Sequence, residues 1–320
     1  MRVLFITSTR IGDAVLSTGL LDYLCKTYQG IEVTVASGIL SAPLFRQFPG
    51  VGQVIEIKKG PFNSHWIKLW SKTIGTAWDL VVDLRGSALS YILITRRRKI
   101  IGRPSVGEHR VQTLGRLFEL SPPPSPRLEP EDLKRNRQLE AIASDNIVGF
   151  GVTANWLPKI WPGARFVELA DALTKKNGTF ENAQVAILGG PGEEALAKPI
   201  LDALGNRALN LVGNLTITET AAFLKKCKVF VGNDSGLMHM AAALGVPTMG
   251  LFGPSMPEHY GPWGSHARSV RSDISFRELV QTPQFDHRKT DNLMQGLSTK
   301  KVLKAVEKMV SELSEQGHKW

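Results

Sequence analysis

A strand that ends in an acid, a hydroxyl and a glycine, and turns there into a helix, offers an anion a place to sit. The stretch 232–264 has that arrangement. Asn233, Asp234, Ser235 and Gly236 follow an apolar run, and a helical pattern begins at Gly236. The first backbone N–H groups of a helix lack partners within it and lie at the positive end of its dipole, so they attract phosphate or carboxylate. Ser235 adds a hydroxyl, Gly236 lets an anion approach the backbone, and His239 lies one turn into the helix toward the same mouth. The next apolar run ends in Phe252, Gly253, Pro254 and Ser255, a second glycine turn beside the same crevice if the two runs are neighbouring parallel strands. Read alone, Asp234 or Ser235 serves equally as a helix cap and His239 as a core-edge histidine. The second turn favours a ligand.

Such a site needs a scaffold, and the chain is long enough for two. Its 320 residues suit two domains of about 150 residues. Hydrophobic residues at 42% and charged residues at 21% describe a globular protein and exclude a disordered one. The longest apolar runs, such as 246–252, are too short to cross a bilayer. Asp13 interrupts the N-terminal apolar run early, so residues 3–7 are expected to form a first strand and not a signal peptide. Cys25 and Cys227 are the only cysteines and lie far apart, which argues against a disulfide framework and fits a reducing cytosol. The net charge is +10, and residues 1–147 carry 20 Lys and Arg against 13 Asp and Glu. That bias suits solubility, and it also suits an anionic surface or glycan.

Short β-rich runs alternate with helical patterns throughout. Strands are expected at 3–7, 32–36, 53–57, 80–84 and 99–102, with helices at 14–26, 42–47, 64–74 and 87–94. Residues 121–132, rich in proline and charge, break the pattern and mark a linker at about 121–146. The alternation then restarts, with strands at 147–153, 184–188, 208–211, 229–231 and 248–252. Helices are expected at 164–175, 193–204, 217–226 and 236–244. The reading is α/β: a first domain over 1–146 and a second over 147–320, each Rossmann-like with a parallel sheet. An amphipathic helix at 299–313 could return to the first domain, and residues 272–298 have weak periodicity.

With these elements in place, the pattern Asp234-Ser235-Gly236, His239, Ala241–Ala243, Leu244-Gly245, Pro247, Phe252-Gly253-Pro254 and Pro257 resembles the donor signature of the ADP-heptose:lipopolysaccharide heptosyltransferases. The resemblance implies a GT-B-like architecture, two Rossmann-like domains facing an interdomain cleft, and a nucleotide-sugar donor bound by the second domain. It implies that Asp234, Ser235, Gly236 and His239 contact the donor's diphosphate and sugar. Lys159-Ile160-Trp161-Pro162 resembles a family motif whose lysine meets the donor phosphates, and Thr153 and Asn155 fall where small polar phosphate contacts lie. In the turn 188–194 either Glu193 or Glu194 would bind ribose, and Leu215 would flank adenine. Near the N-terminus, Gly12-Asp13 matches the family's glycine and general base: Gly12 would admit the acceptor sugar and Asp13 would take its proton. By itself, Asp13 reads as a helix-start acid. Ser235 stands where threonine is commoner, and cysteines that many members carry around 265–295 are absent.

The implied reaction is an inverting transfer of heptose from ADP-L-glycero-β-D-manno-heptose to the Kdo or heptose of a lipopolysaccharide core, with Asp13 and Lys159 as the catalytic groups. The alternatives are another nucleotide sugar or glycan on the same fold, or a catalytically silent ADP-sugar-binding protein. Arg96, Arg97, Arg98 and Arg103, with Lys99, His109 and Arg110, form either a solvated charge run or a contact for acceptor phosphates and the anionic inner membrane. No metal or other cofactor is expected, because no ligand cluster is visible; nucleic acid is not expected either, because no stacking aromatics accompany the basic run. The expected location is cytoplasmic, at most peripheral to the inner membrane. The adenine slot makes a definite prediction. Calorimetric titration should show ADP binding more tightly than UDP or GDP, and UDP binding as well as ADP would remove the assignment.

Overall fold

The computed structural model describes residues 1–130, 139, 142, 145–281, 285–286 and 292–320. The chain forms two compact units, Met1–Pro130 and Glu131–Trp320. The proline-rich stretch was expected to open a linker reaching to 146. Its described part is instead fastened to the first unit. The Arg127 N–H donates to the Thr18 hydroxyl at 2.9 Å, and a methyl group on Gly19 would lie 2.4 Å from the Pro124 carbonyl oxygen. Only glycine permits that approach.

The first unit runs β1 (Arg2–Ile6), α1 (Ile11–Leu16), α2 (Thr18–Thr27), β2 (Glu32–Gly38), β3 (Val51–Ile57), α3 (Ser64–Thr73), β4 (Trp78–Asp83), α4 (Leu89–Ile92), β5 (Thr95–Ile100) and α5 (Arg110–Arg116). Its sheet is parallel, in the order β3-β2-β1-β4-β5. Alternate residues of each strand enter opposite layers, as the period of two requires. Val3, Phe5, Leu80 and Val82 pack with Leu20, Leu24 and Leu114, whereas Leu4, Ile6 and Val81 pack with Leu69, Leu89 and Leu93. The single helix expected at 14–26 is two. Ser17 lies at the break, its hydroxyl donating to the Ala14 carbonyl at 2.7 Å. Residues 42–47 make only a 3₁₀ turn, Ala42–Phe45. The strand expected at 99–102 starts earlier, at Thr95, because its basic residues lie on the sheet edge, where charge is tolerated and discourages further pairing.

The second unit runs β6 (Ile147–Gly151), α6 (Gly163–Thr174), β7 (Gln184–Leu188), α7 (Glu194–Leu204), β8 (Ala208–Asn210), α8 (Ile217–Leu224), β9 (Val229–Asn233), α9 (Gly236–Ala243), β10 (Thr248–Phe252), α10 (Pro257–Tyr260), β11 (Ala267–Arg271), α11 (Phe276–Val280) and α12 (Thr299–Glu315). Its parallel sheet has the order β11-β10-β9-β6-β7-β8, so the strand sequence reverses between β6 and β9. In open α/β sheets the crevice at that reversal, beyond the carboxyl ends of the strands, is where ligands bind. The short edge strand β11 was not foreseen from sequence. The last helix, α12, packs into the second unit. Val302, Val306, Met309 and Leu313 recur at helical spacing and are buried in the core of the second unit with Leu173 and Leu251.

Trp161 anchors that core. It has no exposed surface, meets Phe166 edge-on at 4.9 Å, and its indole N–H donates to the Leu297 carbonyl at 2.8 Å. Trp161→Ala should lower the stability of the second unit by about 3–5 kcal/mol, through lost burial and a cavity. Chemical denaturation followed by circular dichroism tests this, and an unchanged midpoint would contradict it.

Candidate active site

In the second unit, the strands beside the reversal bring most of the expected donor residues together. Asn233 closes β9 and Asp234 follows it. Asn233 is buried, and its side-chain oxygen accepts the Trp161 N–H at 2.9 Å, fixing the loop that carries Lys159. Lys159 ends a 3₁₀ turn, Leu157–Lys159, and its ammonium forms a direct ion pair with the buried Asp234 carboxylate. The tryptophan expected within a binding motif is therefore a core anchor that places the lysine two residues before it.

Beyond Asp234 begins α9. Ser235 takes an extended backbone conformation at its N-cap but makes no side-chain cap. Its hydroxyl is buried without a hydrogen-bond partner, as are the amide nitrogen of Asn233 and the hydroxyl of Ser255 in the turn after β10. Buried polar atoms are normally satisfied, so such orphans at a helix N-terminus are the expected lining of an anion site. His239 lies one turn on, buried. Gly253 allows close passage of residues 293–294, because a methyl group there would come within 2.5 Å of the Met294 sulfur. Arg271 holds the same turn from β11, its guanidinium donating to the Gly253 carbonyl at 3.2 Å.

After β7, the two glutamates part ways. Glu193 is half-buried, and one carboxylate oxygen accepts the Thr153 hydroxyl and the Gly190 N–H, both at 2.6 Å. Thr153 therefore lies against Glu193 rather than open to a phosphate. Glu194 is exposed at the start of α7. Its own backbone N–H and that of Gly192 hold its carboxyl below the usual carboxylate range. Asn155 is exposed and Leu215 half-buried.

In the first unit, the reversal lies between β1 and β4. Gly12 and Asp13 open α1, both half-buried, and the Ser8 hydroxyl faces the Asp13 carboxylate at 3.4 Å. Asp83, absent from the sequence reading, closes β4 in full burial. It accepts the Arg85 N–H and the Ser87 N–H at 2.7 Å, the Ser87 hydroxyl at 2.6 Å and the Ser90 hydroxyl at 2.5 Å. That turn carries Arg85, whose guanidinium reaches the Thr9 hydroxyl at 3.4 Å across the reversal. Arg110 donates to the Leu84 carbonyl at 3.3 Å, and its buried Nε has no partner. The only sequence hint of these residues is the stretch 83–87, a strand end followed by Arg, Gly and Ser.

The basic run is dispersed by the strand's alternation. Arg98 donates to the Ser90 carbonyl at 2.7 Å and the Leu93 carbonyl at 2.8 Å, so its charge closes the end of α4. Arg96 pairs with Asp79 at 3.5 Å on the surface, Lys99 lies 5.4 Å over the Phe118 ring on the opposite layer, and Arg97 and Arg103 are exposed. Burial pushes the Cys25 thiol up to about 11, aided by Asp22, and the Cys227 thiol up to about 12. Neither is a ready nucleophile. Among the described residues, no group of three or more His, Cys, Asp or Glu could hold a metal ion.

The sequence model of glycosyltransferase family 9 (heptosyltransferase) matches residues 85–288. The chain is 26% identical over 311 residues to lipooligosaccharide heptosyltransferase 2 of Haemophilus influenzae, covering 85% of this chain and 88% of that one. It shares its fold with a glycosyl transferase family 9 structure from Veillonella parvula, at a TM-score of 0.79, 20% identity and 97% coverage of both chains. It likewise matches E. coli ADP-heptose lps heptosyltransferase II, at a TM-score of 0.75 and 20% identity, covering 98% of this chain and all of that one.

Lys159→Ala removes a cation from the candidate anion site and leaves Asp234 charged and unpaired. ADP affinity should fall by about tenfold or more, as expected for a charge-assisted hydrogen bond. Calorimetry with ADP measures it, and wild-type affinity in the variant would take Lys159 out of the site.

Proposed function

The chain belongs to glycosyltransferase family 9, the heptosyltransferases, and on that premise we propose that it transfers heptose from ADP-L-glycero-β-D-manno-heptose to the Kdo or heptose region of a lipopolysaccharide core. The observation that carries this reading is the uncapped start of α9, with the orphaned Ser235 hydroxyl at its mouth and the Lys159 ammonium held beside it by Asp234. A helix N-terminus, a hydroxyl and a cation together suit the diphosphate of a nucleotide sugar. A carboxylate against the diphosphate itself would be repulsive, so Asp234 acts by orienting Lys159. The carboxylate of Glu193, steadied by Thr153 and Gly190, keeps one oxygen for the ribose hydroxyls. Glu194 serves the start of α7.

In the proposed step the donor lies on the second unit and the acceptor on the first. Asp13 takes the proton from an acceptor hydroxyl as that oxygen bonds to the anomeric carbon. The bond from that carbon to the β-phosphate oxygen breaks, and ADP leaves with the electron pair. Inversion follows from attack opposite the leaving group. The α9 dipole, Ser235 and Lys159 stabilise the charge that grows on the departing phosphate, so the step requires no metal. Arg85, which reaches Thr9 in the loop leading to Asp13, is better placed than Arg96–Arg98 for an anionic acceptor sugar.

Asp13→Asn should cut single-turnover transfer from ADP-heptose to a truncated core acceptor by about 10²–10⁴-fold. ADP affinity should hardly change, because the diphosphate is assigned to the second unit. Near-normal turnover in this variant would make Asp13 a helix-start acid and leave the proposed mechanism without its base.

A further inference from the structure

α3 and α4 cover the same layer of the first unit's sheet, since Leu69 of α3 and Leu89 of α4 enter one core cluster with Leu4, Ile6 and Val81. The outward sides of these helices and of their flanks are unusually apolar. Phe62 is fully exposed in the turn before α3, and Ile67 and Trp70 are exposed one helical turn apart along it. Tyr91, Ile92 and Ile94, in and after α4, are more than half exposed. Phe62 also takes a left-handed backbone conformation, with φ of 51°, which is costly for a bulky side chain and holds the ring in solvent. Grouped exposed apolar residues of this kind mark an interaction surface.

Charge says what the surface meets. Residues 58–107 contain ten Lys and Arg and two Asp, with no Glu. Both acids lie on β4 and are already engaged. Asp83 is buried in its hydrogen-bonded turn, and Asp79 accepts the Arg2 N–H at 2.8 Å and pairs with Arg96. Lys59, Lys68 and Lys72 lie among the exposed apolar residues in sequence, and the segment holds no further acid to pair with them. His65 on α3 is pushed below the usual histidine range by burial, then by the charges of Arg85 and Lys59, which agrees with a positive environment. Aromatic and aliphatic side chains interleaved with lysines suit the headgroup region of a bilayer, where the rings enter the interface and the ammonium groups meet phosphates.

We propose that the outer side of α3 and α4, with the Phe62 turn, docks the protein on an anionic lipid bilayer. No helix among the described residues is long and apolar enough to cross a membrane, so the contact is peripheral. It differs from the β5 arginine run, whose side chains are divided between two layers of the sheet. The proposal is independent of which sugar is transferred.

Co-flotation of the full chain with vesicles tests it in the absence of any glycan or nucleotide. The chain should bind phosphatidylcholine vesicles that contain phosphatidylglycerol, bind pure phosphatidylcholine far less, and lose binding as salt rises. A Lys59→Gln, Lys68→Gln, Lys72→Gln variant should bind the anionic vesicles about tenfold or more weakly. An Ile67→Ser, Trp70→Ser, Ile92→Ser variant should also lose binding, and these exposed positions should leave the fold, checked by circular dichroism, intact. A charge-matched control on the second unit, Lys175→Gln, Lys176→Gln, Lys300→Gln, should bind as the parent does. Failure of the parent to bind, equal binding by the α3 variants, or an equal loss in the control would overturn the proposal. So would self-association of the parent that the serine variant abolishes while vesicle binding persists, since the face would then join two copies of the chain.

Discussion

In the proposed reaction the second unit's part depends on one ion pair, Lys159 with Asp234, at the carboxyl end of its fourth strand. A lysine on a loop would ordinarily spread its charge over many rotamers. Here the loop is fixed twice, by Asn233 accepting the Trp161 N–H and by the burial of the Trp161 ring. The Asp234 carboxylate then fixes the ammonium itself. Breaking such a pair strands a largely buried carboxylate, which is why it persists despite the desolvation of both charges. The result is a cation held against the residue that precedes the N-cap of α9, where Ser235 makes no side-chain cap.

The first unit solves a related problem with the same element. Its fourth strand also ends in a buried acid, Asp83, but this one binds backbone and hydroxyl donors and no cation. It shapes a turn that carries Arg85 toward Thr9, next to the loop that leads into Asp13. In both units the strand beside the reversal therefore spends a carboxylate on geometry. The groups left to meet a ligand come from neighbouring segments. In the proposed reaction this division assigns charge stabilisation to the second unit and proton removal to the first.

Much of this was legible in the sequence. The core strands of both sheets and α9 were visible because apolar runs bounded by glycine or acid have few other readings. The 234–239 pattern was visible because a strand-to-helix turn of this kind concentrates its residues in six positions. What escaped depends on contacts distant in sequence. β11, with Arg268 and Arg271 among its five residues, reads as a loop until β10 is beside it. The Arg96–Arg98 run reads as one charged patch until the strand alternates it and the α4 carbonyls occupy Arg98. The proposed choice of Glu193 over Glu194 rests on a threonine forty residues upstream. The apolar face of α3 was obscured because a helix with Ile67, Leu69 and Trp70 gives no hint, in one dimension, of which side lacks a neighbour.

The central claim is that the Lys159–Asp234 pair and the start of α9 form the diphosphate site. A crystal structure of the chain with ADP tests it most directly. The account predicts the β-phosphate within hydrogen-bond reach of the α9 N-terminal amides, the Ser235 hydroxyl and the Lys159 ammonium, with Asp234 still holding the lysine and the ribose hydroxyls on Glu193. ADP bound with its phosphates at another helix start, such as that of α7 beside Glu194, would contradict it.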